Sequence, residues 1–136
     1  MSIAVRYQSR GGNTKMVAEA IAKAAGVTAE PVDVPLNEPV DLLFVGGGVY
    51  AFSMDGALKT FVDALDLNTV KSAAAFSTGG FVSIAGKIAS RIKSAGVPVS
   101  KDTLCLKLGG GKEKSLSDKH LEKIDEFVKA VQMRKE

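Results

Sequence analysis

Tyr7-Gln8-Ser9-Arg10-Gly11-Gly12-Asn13-Thr14 stands between a short β-type run, Ile3 to Tyr7, and an amphipathic helical pattern over about Thr14 to Ala25. Two glycines, two hydroxyls and an amide at the start of a helix suit an anion, because helix N-terminal N–H groups and the macrodipole favour negative charge there. A phosphate dianion asks for several convergent donors. The hydroxyls of Ser9 and Thr14, the Asn13 amide and the N–H groups of Arg10 to Thr14 are candidates, and Gly11 and Gly12 let the backbone come close. The Arg10 guanidinium can pair with phosphate. The plainer use of these residues is a turn and a helix cap, with Arg10 as a solvent-facing charge.

Outward from this loop the chain alternates strand and helix patterns. Val17, Ala20, Ile21 and Ala24 fall on one face of the first helix. A second strand is expected at about Thr28 to Val34, at a sheet edge because it contains Pro31. PLNEPVD (35–41) carries no helical pattern and leads into Leu42-Leu43-Phe44-Val45, an apolar run fitting a strand covered on both faces. Helices are expected at about Gly56 to Leu65, Ser83 to Ala95 and Ser117 to Val131. Their inward residues would be Leu58, Phe61, Val62 and Leu65; Ile84, Ile88, Ile92 and Ala95; and Leu121, Ile124, Phe127, Val128 and Val131. Gly96 suits a C-terminal cap. Strands at Ala73 to Phe76 and Leu104 to Leu108 complete five. This alternation predicts an α/β fold of three layers, a five-stranded parallel sheet with helices on both faces. Edge-like second and fifth strands give the order 2-1-3-4-5, whose ligand crevice lies beyond the carboxyl ends of the first and third strands. The loops after Tyr7, Val45 and Phe76 meet there.

Other nucleotide loops fail on spelling. RGGNTK lacks the Gly-Lys-Ser/Thr ending of a Walker loop, and in LGGGKEKS Glu113 follows Gly111-Lys112. The dinucleotide pattern G-x-G-x-x-G also fails, since Gly11 and Gly12 are adjacent and Ser9 holds the first glycine's place.

Composition narrows the classes. The 136 residues suit one domain, 1–136, with a core, and 46% hydrophobic against 24% charged residues argues against disorder. No apolar run reaches the roughly 18 residues of a membrane span, and MSIAVRYQSR has no signal-peptide pattern, so a cytoplasmic protein is expected. One cysteine, Cys105, forms no internal disulfide, and in its strand it reads as a small hydrophobe. With a single histidine, His120, there is no zinc-type cluster and no metal site is expected. The net charge of +3 comes without an aromatic-interleaved basic motif, so nucleic acid is not an expected partner. Arg6 lies in a strand expected at the sheet centre, where an unpaired charge is costly; Asp33 is its expected partner.

The order strand, Ser9-Arg10-Gly11-Gly12-Asn13-Thr14, helix resembles the phosphate loop of flavodoxins, Thr/Ser-x-Thr/Ser-Gly-x-Thr, which Ser9, Gly12 and Thr14 match. Gly11 stands where that pattern has a hydroxyl. DLLFVGGGVYAF (41–52) resembles the third strand and first flavin-ring loop, and AAAFSTGGF (73–81) the fourth strand and second ring loop. The resemblance covers Ile3 to about Val131. It implies FMN as cofactor, held by Ser9 to Thr14, by Gly48, Val49, Tyr50, Ala51 and Phe52, and by Ser77, Thr78, Gly79, Gly80 and Phe81. Tyr50 would cover the flavin ring; Phe52 and Phe81 either stack on it or plug neighbouring helices. Gly46, Gly47 and Gly48 would admit the ribityl chain. Where the family has a glycine after the ring-covering residue, Ala51 resists the positive φ of the turn that meets the reduced flavin. The implied function is electron transfer between redox partners. The alternatives are an FMN-dependent quinone or porphyrinogen oxidoreductase and a non-redox phosphate-binding module. Flavodoxins are usually strongly acidic, whereas this chain has a pI near 9.0, so their usual partners are not implied.

Overall fold

A computed structural model describes residues 1–49, 54–79, 83–108 and 115–133. In chain order the elements are β1 (Ile3–Gln8), α1 (Asn13–Ala25), β2 (Ala29–Pro31), β3 (Leu42–Gly48), α2 (Gly56–Asp63), β4 (Ala73–Thr78), α3 (Ala85–Ser94), β5 (Leu104–Leu106) and α4 (Asp118–Met133). The strands form one parallel sheet in the order β2-β1-β3-β4-β5. This is the expected three-layer architecture.

β3 and β4 are buried at every position, which is why they read as unbroken small and apolar runs. Alternate residues feed two cores. Val5, Phe44 and Phe76 meet Val17 and Ile21 of α1 and Ile124, Phe127 and Val128 of α4 on one face. Phe44 and Phe127 pack edge to face with ring centroids 5.6 Å apart. On the other face Leu43, Val45, Ala73 and Ala75 meet Leu58 and Val62 of α2 and Ile88 and Ile92 of α3. Among the described residues no helix is long and apolar enough to cross a membrane.

The edge strands are shorter than their patterns suggest. β2 ends at Pro31 and pairs on one side only, by Tyr7↔Pro31; the Val32 N–H that follows still donates to Tyr7 O at 2.9 Å, so the proline costs the ladder no bond there. Two helix faces also differ from expectation. Ala18 and Ala22 are buried on α1, while Ala24 is exposed, and Leu121 is 42% exposed near the start of α4. Each lies at the margin of a stripe whose width is set by the neighbouring element and not by its own periodicity. Gly96 adopts φ +94 just past α3, as a C-terminal cap requires. His120 has a structural use: its Nδ1 accepts from the Ser117 N–H at 3.3 Å and its N–H donates to Ser117 Oγ at 3.2 Å. This is a capping box with imidazole in the place of the usual Glu or Gln.

Arg6 is 8% exposed and does not pair with Asp33. Its Nε donates to Val34 O at 2.9 Å, Nη1 to Val5 O at 3.1 Å and Nη2 to Pro35 O at 3.2 Å. The guanidinium thus ties the non-helical β2–β3 connection to β1 by satisfying its carbonyls, a use that five fixed N–H donors allow. Arg6→Met is expected to lower stability by about 1–3 kcal/mol, the cost of leaving such acceptors unmet, whereas Asp33→Ala changes it by less than about 0.5 kcal/mol. Urea unfolding of the two variants checks this.

Candidate functional site

β1, β3 and β4 end side by side, in the registers Gln8↔Gly47 and Gly48↔Thr78, so the connections that follow them open on one edge of the sheet. Order 2-1-3-4-5 sends the connections from β1 and β3 to opposite faces, and the crevice between them is where α/β sheets take ligands.

The 9–14 loop closes on itself before α1 begins. Gly12 holds φ +99, a left-handed conformation, and its N–H donates to Ser9 Oγ at 3.0 Å. That donor is therefore engaged within the loop, while the Ser9 hydroxyl keeps its own proton for an acceptor. The first helical hydrogen bond is Met16 N–H to Gly12 C=O, so the amides of residues 13–15 precede the intrahelical ladder. No side chain caps this end through Gly12 and no acidic residue occupies the first turn. The positive end of the α1 dipole thus has no carboxylate of its own to balance it. A Cβ on Gly11 would meet nothing within 4 Å, so that glycine faces open space and not a neighbouring backbone.

Thr14 is 2% exposed and Thr78 4%, and their hydroxyls lie 2.7 Å apart. This bond locks the start of α1 to the end of β4 across 64 residues of chain. If Thr78 is the donor, the Thr14 proton is released toward the loop, because each hydroxyl gives one proton and accepts two. Ser77 is fully buried, with its Oγ 3.4 Å from Ser83 Oγ. Val49 N–H donates to Thr78 O and Gly79 N–H to Leu106 O, extending the ladder just past the strands.

Arg10 spans the crevice. Its Nε and Nη2 reach Asp55 Oδ2 at 2.8 and 2.6 Å, and Asp55 Oδ1 accepts from Ala57 N–H at 2.8 Å as the N-cap of α2. The Ala57 N–H and then the Arg10 guanidinium hold the Asp55 carboxyl below the usual carboxylate range. A lowered value keeps Asp55 ionised at neutral pH, and the pair loses its charge only as pH falls below that range. The guanidinium remains half exposed, at 59% of its side chain, beside the loop it comes from. Asp55 was not among the expected site residues; its place just before an apolar helical run is the signal that could have found the cap, while nothing in the sequence names Arg10 as its partner.

The three glycines at the end of β3 do not share one role. A Cβ on Gly46 would lie 2.2 Å from Phe76 O and 2.5 Å from its ring, and one on Gly47 would lie 2.7 Å from Leu58 Cδ2. Both glycines make room for protein and not for a ligand chain, which corrects the expectation for them. Gly48 is buried beside Thr78 at the crevice. Tyr50, Ala51, Phe52, Gly80 and Phe81 lie outside the described residues. Cys105 is half-buried on β5, in register with Ser77 of β4. Among the described residues no group of three or more His, Cys, Asp or Glu could hold a metal.

The class defined so far is a doubly wound α/β protein with an uncapped helix N-terminus at its topological switch point. The family model for the flavodoxin domain matches residues 4–95, and the chain belongs to that family. A comparison with curated proteins gives no match. Among solved structures, a flavodoxin from the domain Archaea is 23% identical, with a TM-score of 0.79, covering 98% of this chain and 97% of that one. The oxidised flavodoxin 2 of Bacillus cereus is 18% identical, with a TM-score of 0.77, covering 98% and 99%. The rubredoxin:oxygen oxidoreductase of Desulfovibrio gigas is 13% identical, with a TM-score of 0.73; the match takes in 96% of this chain but 35% of that one. These likenesses show a shared fold.

Proposed function

We propose that this protein binds FMN, with the phosphate on the 9–14 loop, and carries electrons between redox partners. The observation that carries this reading is the start of α1: left-handed Gly12, no side-chain cap, no acidic residue in the first turn, and Arg10 beside it. An anion supplies there what the protein does not. Ser9 Oγ, Thr14 Oγ1, the Asn13 amide and the leading amides of α1 hold the phosphate, and Arg10 adds a positive charge at its margin. The reading assigns the rest of the cofactor to Gly48, Val49, Ser77, Thr78 and Gly79 and, outside the described residues, to Tyr50, Ala51, Phe52, Gly80 and Phe81. The family and the two structural neighbours described above that are named as flavodoxins support the choice of FMN.

Bound FMN supplies one- and two-electron chemistry at its ring. The chain's own part is to fix the phosphate end through the loop and the Thr14–Thr78 lock, so that the ring end is held at the edge of the sheet. A visible spectrum of the purified protein, followed by titration with FMN and in parallel with FAD, tests the reading. Yellow protein, or saturable quenching by FMN and not FAD, is the expected result. No binding at tens of micromolar flavin sinks it. Steady turnover of NAD(P)H with quinones by the loaded protein would replace the carrier with an enzyme.

A further inference from the structure

One ion pair joins the two walls of the crevice. The connection after β1 carries Arg10 and the connection after β3 carries Asp55 at its end, and the order 2-1-3-4-5 sends these connections to opposite faces of the sheet. A bond between them crosses the crevice by topology alone. Its two members are anchored differently. Asp55 belongs to the start of α2: its Oδ1 accepts from Ala57 N–H, and its side chain is 12% exposed. Arg10 stands on the loop, with its guanidinium at the end of a flexible stem and mostly in solvent. Arg10 is therefore the member that changes partner, and Asp55 the one that stays with its helix.

Two anions draw on the same guanidinium. Asp55 Oδ2 accepts from its Nε and Nη2, the side-on edge with which arginine also grips a phosphate. Arg10 lies two residues before Gly12, where α1 begins with no acidic residue in its first turn, so an anion held on the loop is within the reach of this side chain. A carboxylate carries one charge, a phosphate monoester about −1.5 to −2 at pH 7. The stronger anion takes the guanidinium, but only by breaking its bonds to Asp55. That cost falls on a phosphorylated ligand alone. A ligand without phosphate leaves the pair as it is, so the carboxylate narrows the gap in affinity between the two.

We propose that Asp55 is a specificity-determining residue, an internal counter-anion that competes with the ligand's phosphate for Arg10 and so tempers the preference of the site for phosphorylated over unphosphorylated ligands. The inference deepens the FMN reading and rests on it for the ligand, so it is tested with flavins and separately with inorganic phosphate. Dissociation constants for FMN and riboflavin are measured by flavin fluorescence at pH 8 in wild type, D55N, R10Q and R10Q/D55N. Salt at 150 mM, with a screening length of about 8 Å, damps the long-range effect of a lost charge. Asparagine caps a helix as well as aspartate does, so D55N removes the charge and keeps the start of α2. D55N is expected to tighten FMN at least fivefold and riboflavin less than twofold. R10Q should weaken FMN, and adding D55N to R10Q should change it less than twofold, because the competition needs the guanidinium. In flavin-free protein the unfolding midpoint is followed against inorganic phosphate, and the half-maximal phosphate concentration should fall at least fivefold in D55N but less than twofold between R10Q and R10Q/D55N. Weaker FMN binding by D55N would make Asp55 a support that holds Arg10 for the phosphate and overturn the proposal. Equal gains with and without Arg10, or equal gains for FMN and riboflavin, overturn it too, as does a wild type and D55N that both ignore FMN and phosphate. A phosphate response that sharpens in D55N, in a protein that takes no FMN, would uphold the counter-anion and remove the cofactor reading alone.

Discussion

Gly46→Ala lowers the stability of this protein by at least about 3 kcal/mol, at or beyond the upper end of the usual cost of overpacking. The added Cβ would sit 2.2 Å from the Phe76 carbonyl oxygen and within 2.6 Å of two ring atoms of Phe76. A flexible side chain could move aside, but a carbonyl in the middle of a parallel ladder cannot, since Gly46 pairs with Phe76 between two other registered pairs. Phe76 is itself fully buried in the core under α1 and α4. Relief would have to separate β3 from β4. Gly47→Ala is milder, by the same reasoning, because its obstacle is the Cδ2 of Leu58, the end of a side chain with other rotamers. Denaturant unfolding of the two variants checks the order, and equal costs would show that the close approach at Gly46 is not what this position requires. The comparison also bears on function: if Gly46 admitted a ligand chain instead, alanine there would weaken FMN binding and leave the apoprotein stable.

The buried hydroxyl pair should show the second large effect. Thr14→Val leaves the Thr78 hydroxyl without its partner at 2.7 Å in a place that is 4% exposed, a cost of about 1–3 kcal/mol. Replacing both residues with valine removes the orphan and should restore most of that loss, since two apolar groups of the same shape can be nearly neutral. FMN affinity should not recover with stability. The Thr14 hydroxyl is a phosphate donor in the proposed site, and a hydrogen bond to a charged group contributes about 1.5–3 kcal/mol, so both T14V and T14V/T78V should bind FMN at least tenfold more weakly. Thr78→Val alone should be destabilised like Thr14→Val but lose less affinity. Urea unfolding and flavin-fluorescence titration across these variants separate the lock from the ligand contact. Full recovery of FMN affinity in the double variant would assign Thr14 to the lock only.

The architecture was legible because each element carried its own signal. The unbroken Leu42–Val45 run marked a strand buried on both faces, Pro31 marked an edge, and the YQSRGGNT stretch marked a strand-to-helix connection. Such signals are local: they depend on the period of burial and on the backbone limits of glycine and proline, both carried by neighbouring residues. The sequence by itself therefore determined the fold class, the strand order and the place of the crevice. Contacts between distant segments belonged to the tertiary structure. The partners of Arg6 proved to be the Val34 and Pro35 carbonyls and not Asp33, because a guanidinium is served as well by oriented carbonyls as by a carboxylate. Arg10 meets Asp55 across 45 residues and Thr14 meets Thr78 across 64. Gly46 is glycine because a phenylalanine from the next strand leans over it. None of these pairings has a sequence period, since each is fixed by the register in which strands come together and by which side chain fills the space above a given residue.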